Sequence, residues 1–354
     1  MELSFWEQKL PFEYPFTISN GRTKTHQHSL MVRLSLGNWE GFGEAPAIVY
    51  YNVTVEGMME KLEQQRKVIE KFALIDPERF WHFLHHLFPN DPFLVCALDM
   101  AGWDLWGQMK KQPLHQLWNT TWESETSELN ALPPICDYTL GIDPIEKMVQ
   151  KMEDHPWPIY KVKVGTDYDV EMITALRKHT DKPIRVDANA GWTTEEALQK
   201  IPALAALGVE LVEQPLAKDN WEGMEQLKKQ SVLPLFADES CVFEKDVAIC
   251  ANYFHGINIK LTKCSGLTPA LRMIKEARSL GLKVMMGSMN ESVIGSAAIA
   301  QFLPQLDYVD MDGPLLMTEL NGVGLNFSFE NKDGKIQPLM QPGLGVGYRK
   351  PFVK

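Results

Sequence analysis

Cysteine is scarce in this 354-residue sequence, at positions 96, 136, 241, 250 and 264, and none falls in a Cys-x-x-Cys spacing. An odd number of thiols set inside apolar runs excludes a disulfide framework. It predicts reduced, buried cysteines in a cytoplasmic protein. No apolar run reaches the ~18 residues of a membrane-spanning helix, so no membrane partner is expected. The N-terminal Met-Glu-Leu-Ser-Phe-Trp-Glu has neither the basic region nor the apolar stretch of a secretory signal, and none is expected. Positive charge is in deficit, with 35 Lys and Arg against 46 Asp and Glu and a formal net charge of −11. That sign argues against nucleic acid as the partner, because phosphate contacts need the opposite charge. What is present is ordinary for a globular protein: 45% hydrophobic and 23% charged residues. The length fits a barrel of common size plus a smaller domain.

The N-terminal part mixes strand and helix patterns. Residues 29–36 alternate as a strand, Gly37 and Asn38 read as a turn, and residues 39–44 as a second strand. Apolar spacings of three and four predict helices over Val55–Phe72 and Phe93–Met109. The polar stretch Asn119–Pro134 reads as a linker. From Cys136 the pattern becomes short buried runs alternating with helices, as a parallel sheet requires. The predicted strands are 136–140, 160–164, 184–188, 209–213, 234–238, 257–260, 283–287 and 307–310. Thr193 heads a helix with acids in its first turn, and Thr268–Leu280 is an amphipathic helix stopped by Gly281. The tail after about residue 322 is rich in Gly and Pro, too irregular for another βα unit.

Five residues carry the chemistry. Lys163, Asp187, Glu213, Asp238 and Lys260 end five successive predicted strands, about 25 residues apart, the repeat of βα units in a barrel. A barrel gathers strand C-termini on one rim, so these residues should ring one cavity. Three acids with no His or Cys among them suit Mg²⁺ rather than zinc. Asn189 and Glu239 directly follow two of the acids and could orient them or the lysines. A lysine closing a buried strand is unusual, and beside a divalent cation and other lysines its pKa should fall, which suits a base. Lys161 shares a strand face with Lys163 and is placed to hold a substrate carboxylate. Lys260 comes from across the barrel and reaches the opposite face of the same carbon. Two such bases predict inversion at a carbon next to a carboxylate, with the negative charge of an enediolate held by the metal and Lys161.

These motifs carry a resemblance. Lys-Val-Lys (161–163), Asp-Ala-Asn (187–189), Glu-Gln-Pro (213–215), Ala-Asp-Glu-Ser (237–240), Ile-Lys-Leu-Thr-Lys (259–263) and Gly-Ser-Met-Asn-Glu-Ser (287–292) are similar to the enolase superfamily, muconate lactonizing enzyme subgroup. Gly-Phe-Gly-Glu-Ala-Pro (41–46) and Ala-Leu-Asp-Met-Ala-Gly-Trp-Asp (97–104) extend it over nearly the whole chain. The resemblance implies an α/β fold: a modified (β/α)7β barrel over 126–322, an α+β capping domain over 1–125, and a tail, 323–354, packing back on the cap. It implies one Mg²⁺ on Asp187, Glu213 and Asp238, and a homo-oligomer.

The last predicted strand ends Asp310-Met311-Asp312, which resembles the pair that binds the substrate ammonium in dipeptide epimerases. Two acids on one side of a strand end are suited to anchoring a cation. The resemblance thus implies a dipeptide substrate, with Ala first. Its C-terminal carboxylate would meet Mg²⁺, its C-terminal α-carbon would be inverted, and its ammonium would sit on Asp310 and Asp312. Dipeptides from cell-wall peptidoglycan are the expected pool. Arg22 matches an arginine that contacts glutamate in Ala-Glu epimerases, but Gly21 and Lys24 beside it depart from that pattern. Small or apolar C-terminal residues are therefore expected as well. Thr139 and Met289, at two further strand ends, are placed to shape the pocket, and loops 17–25 and 47–52 to close it. The competing expectation is an o-succinylbenzoate synthase or cycloisomerase on the same scaffold, which has no ammonium to bind.

Overall fold

A computed structural model of the chain describes residues 1–17, 23–119, 134–318, 322–323, 334 and 340–348. Strands β1 (Glu2–Thr17), β2 (Thr23–Leu36) and β3 (Trp39–Pro46) form an antiparallel sheet in that order. Strands β2 and β3 are the expected pair, longer than the alternation predicted, joined at Gly37 and Asn38. Strand β1 is an addition. Its pattern is broken by Pro11 and Pro15, and its register with β2 shifts between Pro11 and Phe16. An edge strand tolerates both prolines, because its outer N–H groups need no partner.

Three longer helices follow, Val55–Glu70, Pro77–Leu87 and Pro92–Lys110, and then the short helix Leu114–Leu117. The first and third match the expected periodicity. The middle one is again an addition, started by Asp76, whose carboxylate accepts the Glu78 N–H, and by Pro77 in the first turn. Helix Pro92–Lys110 lies flat on β3. A Cβ at Gly43 would stand 1.9 Å from the Ala97 carbonyl oxygen, and one at Gly41 2.3 Å from that of Ala101. Only glycine permits that approach.

Eight parallel strands make the second unit: β4 (Tyr138–Leu140), β5 (Tyr160–Lys163), β6 (Ile184–Asp187), β7 (Val209–Glu213), β8 (Leu235–Ala237), β9 (Gly256–Ile259), β10 (Lys283–Gly287) and β11 (Tyr308–Asp310). They pair in sequence order from β4 to β11, and a parallel bridge from Cys136 to Val309 brings the two ends together. At least one helix follows each of the first seven strands, giving the (β/α)7β pattern. Most of their buried faces fuse into one large apolar core, and Leu211, Phe236 and Met285 form a small separate cluster. The helix at Thr194–Ala206 begins with a capping box: Thr193 Oγ1 accepts from Glu196 N, and Glu196 Oε2 accepts from Thr193 N. All five cysteines are buried and free. Among the described residues no helix is long and apolar enough to cross a membrane.

Buried carboxylates tie the sheet-and-helix unit to the barrel. Glu44 of β3 accepts hydrogen bonds from the Ser292 and Gly295 N–H groups and the Ser292 hydroxyl, at the start of helix Val293–Ala300. Asp99 accepts from Thr268 N and Oγ1 at the start of helix Leu267–Ser279. Each carboxylate caps a barrel helix from another element, where the exposed N–H groups favour an anion. The tail reaches the same interface. Leu344 N donates to Asp104 Oδ1 at 2.8 Å and Gln108 Nε2 to the Pro342 carbonyl at 2.9 Å. Gly343, at φ +67°, fits against Gly107, where a Cβ would stand 2.5 Å from the Gly343 Cα.

Candidate active site

The register of the barrel strands sets the site. Lys163 on β5 lies opposite Asp187 on β6, and Asp187 lies opposite Glu213 on β7. Asp238 follows the end of β8 and Lys260 follows the end of β9. Strands β5 and β9 are four apart in a ring of eight, so Lys163 and Lys260 face each other across the barrel. Both line a cavity of ≈ 510 Å³ at the strand C-termini, together with Thr139, Asn189, Asp238, Glu239, Met289, Asp310 and Asp312. The opposite wall is cap: Lys24, Ile48, Tyr50 and Tyr51. Loop residues 47–52 thus meet the cavity, with a 3₁₀ turn at Val49–Tyr51. Arg22 lies outside the described residues, as do 18–21 of its loop and 120–133 of the expected linker.

Below the cavity floor are Lys161, Asp187 and Glu213, all buried. The Lys161 ammonium is the point on which the acids converge. It stands 2.6 Å from Asp310 Oδ2, 2.7 Å from Glu213 Oε2 and 3.4 Å from Asp187 Oδ2. Lys163 Nζ donates to Asp187 Oδ2 at 2.6 Å and Lys260 Nζ to Asp238 Oδ2 at 3.0 Å. Among the described residues no three His, Cys, Asp or Glu side chains form a group that could hold a metal ion as they stand. The acids are engaged by ammonium groups instead.

These contacts decide the protonation states. Burial works against the Asp187 charge, but Lys163, Lys161 and Lys260 outweigh it and hold its carboxyl well below the usual range. Asp238 is opposed by burial too, yet Lys260 and Lys263 bring it down to about 2. Glu213 is raised by burial and by the Asp187 charge. Burial would lower Lys260, but Asp238 and Glu213 raise it overall, and Lys161 is raised against burial by Asp310 and Glu213. At Lys260 the expected fall in pKa is therefore not produced by the protein groups alone, because the nearby acids favour the charged ammonium more than burial opposes it. The ammonium-anchoring candidates differ from each other. Burial opposes the Asp310 charge, but Lys161 and Lys163 lower its pKa, whereas burial and the Asp310 charge push Asp312 up to about 7. Asp312 Oδ2 accepts from Thr139 N at 2.6 Å.

Five further residues join the site. Lys263 is buried and donates to Asp238 Oδ1 at 2.7 Å, with its ammonium 5.7 Å from the centre of the Tyr51 ring. Asn258 donates to Glu213 Oε1 at 2.8 Å. Gln214, at φ +37°, accepts from Asp238 N and Ser240 N and so fixes the turn that presents Asp238. Arg185 and Asp137 form a buried ion pair at 2.8 Å beneath the rim. Asn258 carried a sequence signal, a polar residue two before Lys260 in an otherwise apolar strand. Lys263 and Gln214 lay inside motifs whose other members attract attention. The Arg185–Asp137 pair had no local signal, because its partners are on different strands. Asn189 and Glu239 are joined to each other, Nδ2 to Oε1 at 3.3 Å, and Asn189 N donates to Asp187 Oδ1.

The donor set fits a hard divalent cation. It is all oxygen, it comes from the ends of three adjacent strands, and Glu239 Oε2 beside it is buried with no hydrogen-bond partner among the described residues. Comparison with known proteins agrees with this arrangement. Residues 145–351 match the family described as Enolase C-terminal domain-like. The chain is 48% identical to the L-Ala-D/L-amino acid epimerase of Flavobacterium johnsoniae, over 98% of this chain and 99% of that protein. The dipeptide epimerase from Cytophaga hutchinsonii, solved with Mg and D-Ala-L-Val, superposes with a TM-score of 0.90 at 25% identity, covering 99% of this chain and 96% of the other. The substrate-liganded L-Ala-D/L-Glu epimerase from Bacillus subtilis gives 0.88 at 27% identity, with 98% of each chain covered. The chain belongs to the enolase superfamily, in its dipeptide epimerase family.

Proposed function

We propose that this protein is a Mg²⁺-dependent dipeptide epimerase that inverts the α-carbon of the C-terminal residue by two-base proton transfer. One observation carries the reading: two lysines face each other across one cavity, with three buried carboxylates on the strands between them. Dipeptide epimerases of the same fold hold Mg in their solved structures, which supports Mg²⁺ as the ion, and Asp187, Glu213 and Asp238 would be the residues that hold it here. When bound, the ion would hold the substrate carboxylate, offset the charge of the acids, and stabilise negative charge as it develops.

The chain's own residues do the rest. Lys163 Nζ removes the α-proton from one face of the carbon and Lys260 Nζ delivers one to the other, or the reverse for the other stereoisomer. Lys161, fixed by three acids, faces the substrate carboxylate as it gains charge. Lys263, Asn258 and Gln214 hold Asp238 and Glu213 in place, so the site reorganises little during the reaction. Asp310 and Asp312 receive the substrate ammonium. Lactone-forming or dehydrating relatives would have little use for that pair. Cap residues Ile48 and Tyr50 close the cavity over the side chains. Ala-Xaa dipeptides, of the kind released from cell walls, are the substrates this reading favours.

The test is proton NMR in D₂O with and without Mg²⁺, over Ala-Xaa dipeptides in their stereoisomers. Loss of the C-terminal α-proton signal with appearance of the diastereomer, only with Mg²⁺, is the expected result. Failure of every dipeptide to exchange would overturn the proposal.

A further inference from the structure

This inference rests on the epimerase reading and concerns what holds Lys163 at its post. A lysine side chain is long and flexible, so where its ammonium can reach depends on how the backbone carrying it is fixed. Beyond Lys163 the chain leaves β5 through a turn whose donors converge on one carboxylate. That carboxylate is Asp169, fully buried at the start of helix Asp169–Arg177. Its Oδ1 accepts from Gly165 N at 3.0 Å, Thr166 N at 2.8 Å and Thr166 Oγ1 at 2.7 Å. Its Oδ2 accepts from Trp192 Nε1 at 2.7 Å and Lys200 Nζ at 3.0 Å. Gly165 and Thr166 follow β5, Trp192 closes the turn after β6, and Lys200 is on helix Thr194–Ala206. One carboxylate thus ties the rim behind Lys163 to the rim behind Asp187.

The two turns also pack backbone on backbone. Val164 N donates to the Asp187 carbonyl at 2.9 Å, and a Cβ at Gly191 would stand 3.1 Å from the Gly165 Cα. Between Asp187 and Gly191, Asn189 at φ +44° and Ala190 at φ +61° sit in the left-handed region, and both line the cavity. Such backbone persists where its surroundings hold it, and the Trp192–Asp169 hydrogen bond is one of the holds. All of these partners lie on the Lys163 side of the barrel. Lys260, on the far side, is fixed differently. Lys263 N and Cys264 N, in helix Leu261–Cys264, donate to its carbonyl at 3.0 and 3.1 Å. We propose that Asp169 is a positioning residue for Lys163 and not for Lys260. It locks the turns after β5 and β6 together, and so keeps Lys163 Nζ beside Asp187 and in line with the α-carbon.

Exchange of the α-proton in D₂O separates the two lysines, because each faces one diastereomer. Lys260→Ala identifies the diastereomer that Lys163 serves, and Lys163→Ala identifies the other. Initial exchange rates of both diastereomers, for the Ala-Xaa dipeptide that wild type exchanges fastest, are then measured at saturating Mg²⁺ with Asp169→Asn and Trp192→Phe. The amide of Asp169→Asn has one acceptor oxygen, and its N–H groups would face former donors. Exchange of the Lys163-served diastereomer should fall about 10–100-fold, the cost of a misplacement of about an ångström, while the Lys260-served one stays within about twofold. Trp192→Phe keeps a ring but loses the donor, and should skew the ratio in the same sense by about fivefold, the scale of one hydrogen bond. Melting curves check folding, and the ratio within each protein is independent of how much is active. Equal losses for both diastereomers, or an unchanged ratio, in Asp169→Asn show a structural role only. They overturn the positioning role and leave the epimerase reading standing. Should Asp169→Asn not fold, the ratio in Trp192→Phe decides in the same way. A wild type that exchanges no dipeptide at all overturns both.

Discussion

Neutralising Asp310 and Asp312 one at a time should give unequal losses, and the inequality follows from their contacts. Asp310 Oδ2 stands 2.6 Å from Lys161 Nζ, so Asp310→Asn removes a charged partner from the lysine that faces the substrate carboxylate. It also removes a full charge facing the substrate ammonium, since Lys161 and Lys163 keep Asp310 ionised against burial. A charged hydrogen bond is worth about 1.5–3 kcal/mol. Loss of two such contacts corresponds to about 3 kcal/mol or more, a fall of ~100-fold or more in kcat/KM, with kcat and KM both affected. Asp312 is pushed up to about 7 by burial and Asp310, so near neutral pH it is only partly charged. The Asn oxygen in Asp312→Asn can still accept from Thr139 N. The loss in that variant should be about tenfold near pH 7, smaller at pH 6, and larger at pH 9, where the native carboxyl is fully ionised. The assay is initial-rate epimerisation of Ala-Glu by polarimetry, repeated with the N-acetylated dipeptide. Wild type should turn over the acetylated compound poorly, because it has no ammonium. If Asp310→Asn stays within about twofold of wild type, or if the acetylated dipeptide is as good a substrate as the free one, the assignment of these acids is wrong.

Three further outcomes are expected. Lys163→Ala and Lys260→Ala should each abolish epimerisation, by about 10²–10⁴-fold. Each should still exchange the α-proton of the one diastereomer that its remaining lysine faces, and NMR showing both variants exchanging the same diastereomer would sink the two-base arrangement. Glu44→Ala strips the acceptor from three buried donors at Ser292 and Gly295, each worth about 1–3 kcal/mol when orphaned. Urea denaturation should show a loss of several kcal/mol, and a loss below ~1 kcal/mol would mean the link between cap and barrel lies elsewhere. Asp99 is raised from 3.8 to about 7 by burial, against the hydrogen bonds from Thr268. Its contribution to stability is thus full below about pH 3.8 and is lost as pH rises through 7, on the order of 4 kcal/mol in all. Asp99→Asn should flatten the stability profile between pH 4 and 8. A variant whose profile parallels wild type over that range would show that Asp99 does not titrate there.

The sequence made the barrel legible because a parallel sheet buried on both faces leaves a simple trace, short apolar runs at a steady interval. All eight expected strands are present, with bounds shifted by a residue or two. Strand β1 and helix Pro77–Leu87 were harder to read. Pro11 and Pro15 interrupt the alternation of the first, and the second is short with histidines in its last turn. Local pattern is weakest where an edge position or a tertiary contact supplies what the pattern lacks.

What the sequence alone determined is therefore the repeat and, through it, the order of chemistry around a rim: Lys163, Asp187, Glu213, Asp238 and Lys260 on successive strand ends. What only the tertiary structure decided is how those groups are paired and charged. Lys161 stands among three acids, Lys263 holds Asp238, and Asp310 and Asp312 titrate apart. Spacing along a strand fixes which face a side chain takes, because the pleat has a period of two. Protonation and ion pairing depend instead on distance and burial between strands remote in sequence, and those are set only when the barrel closes.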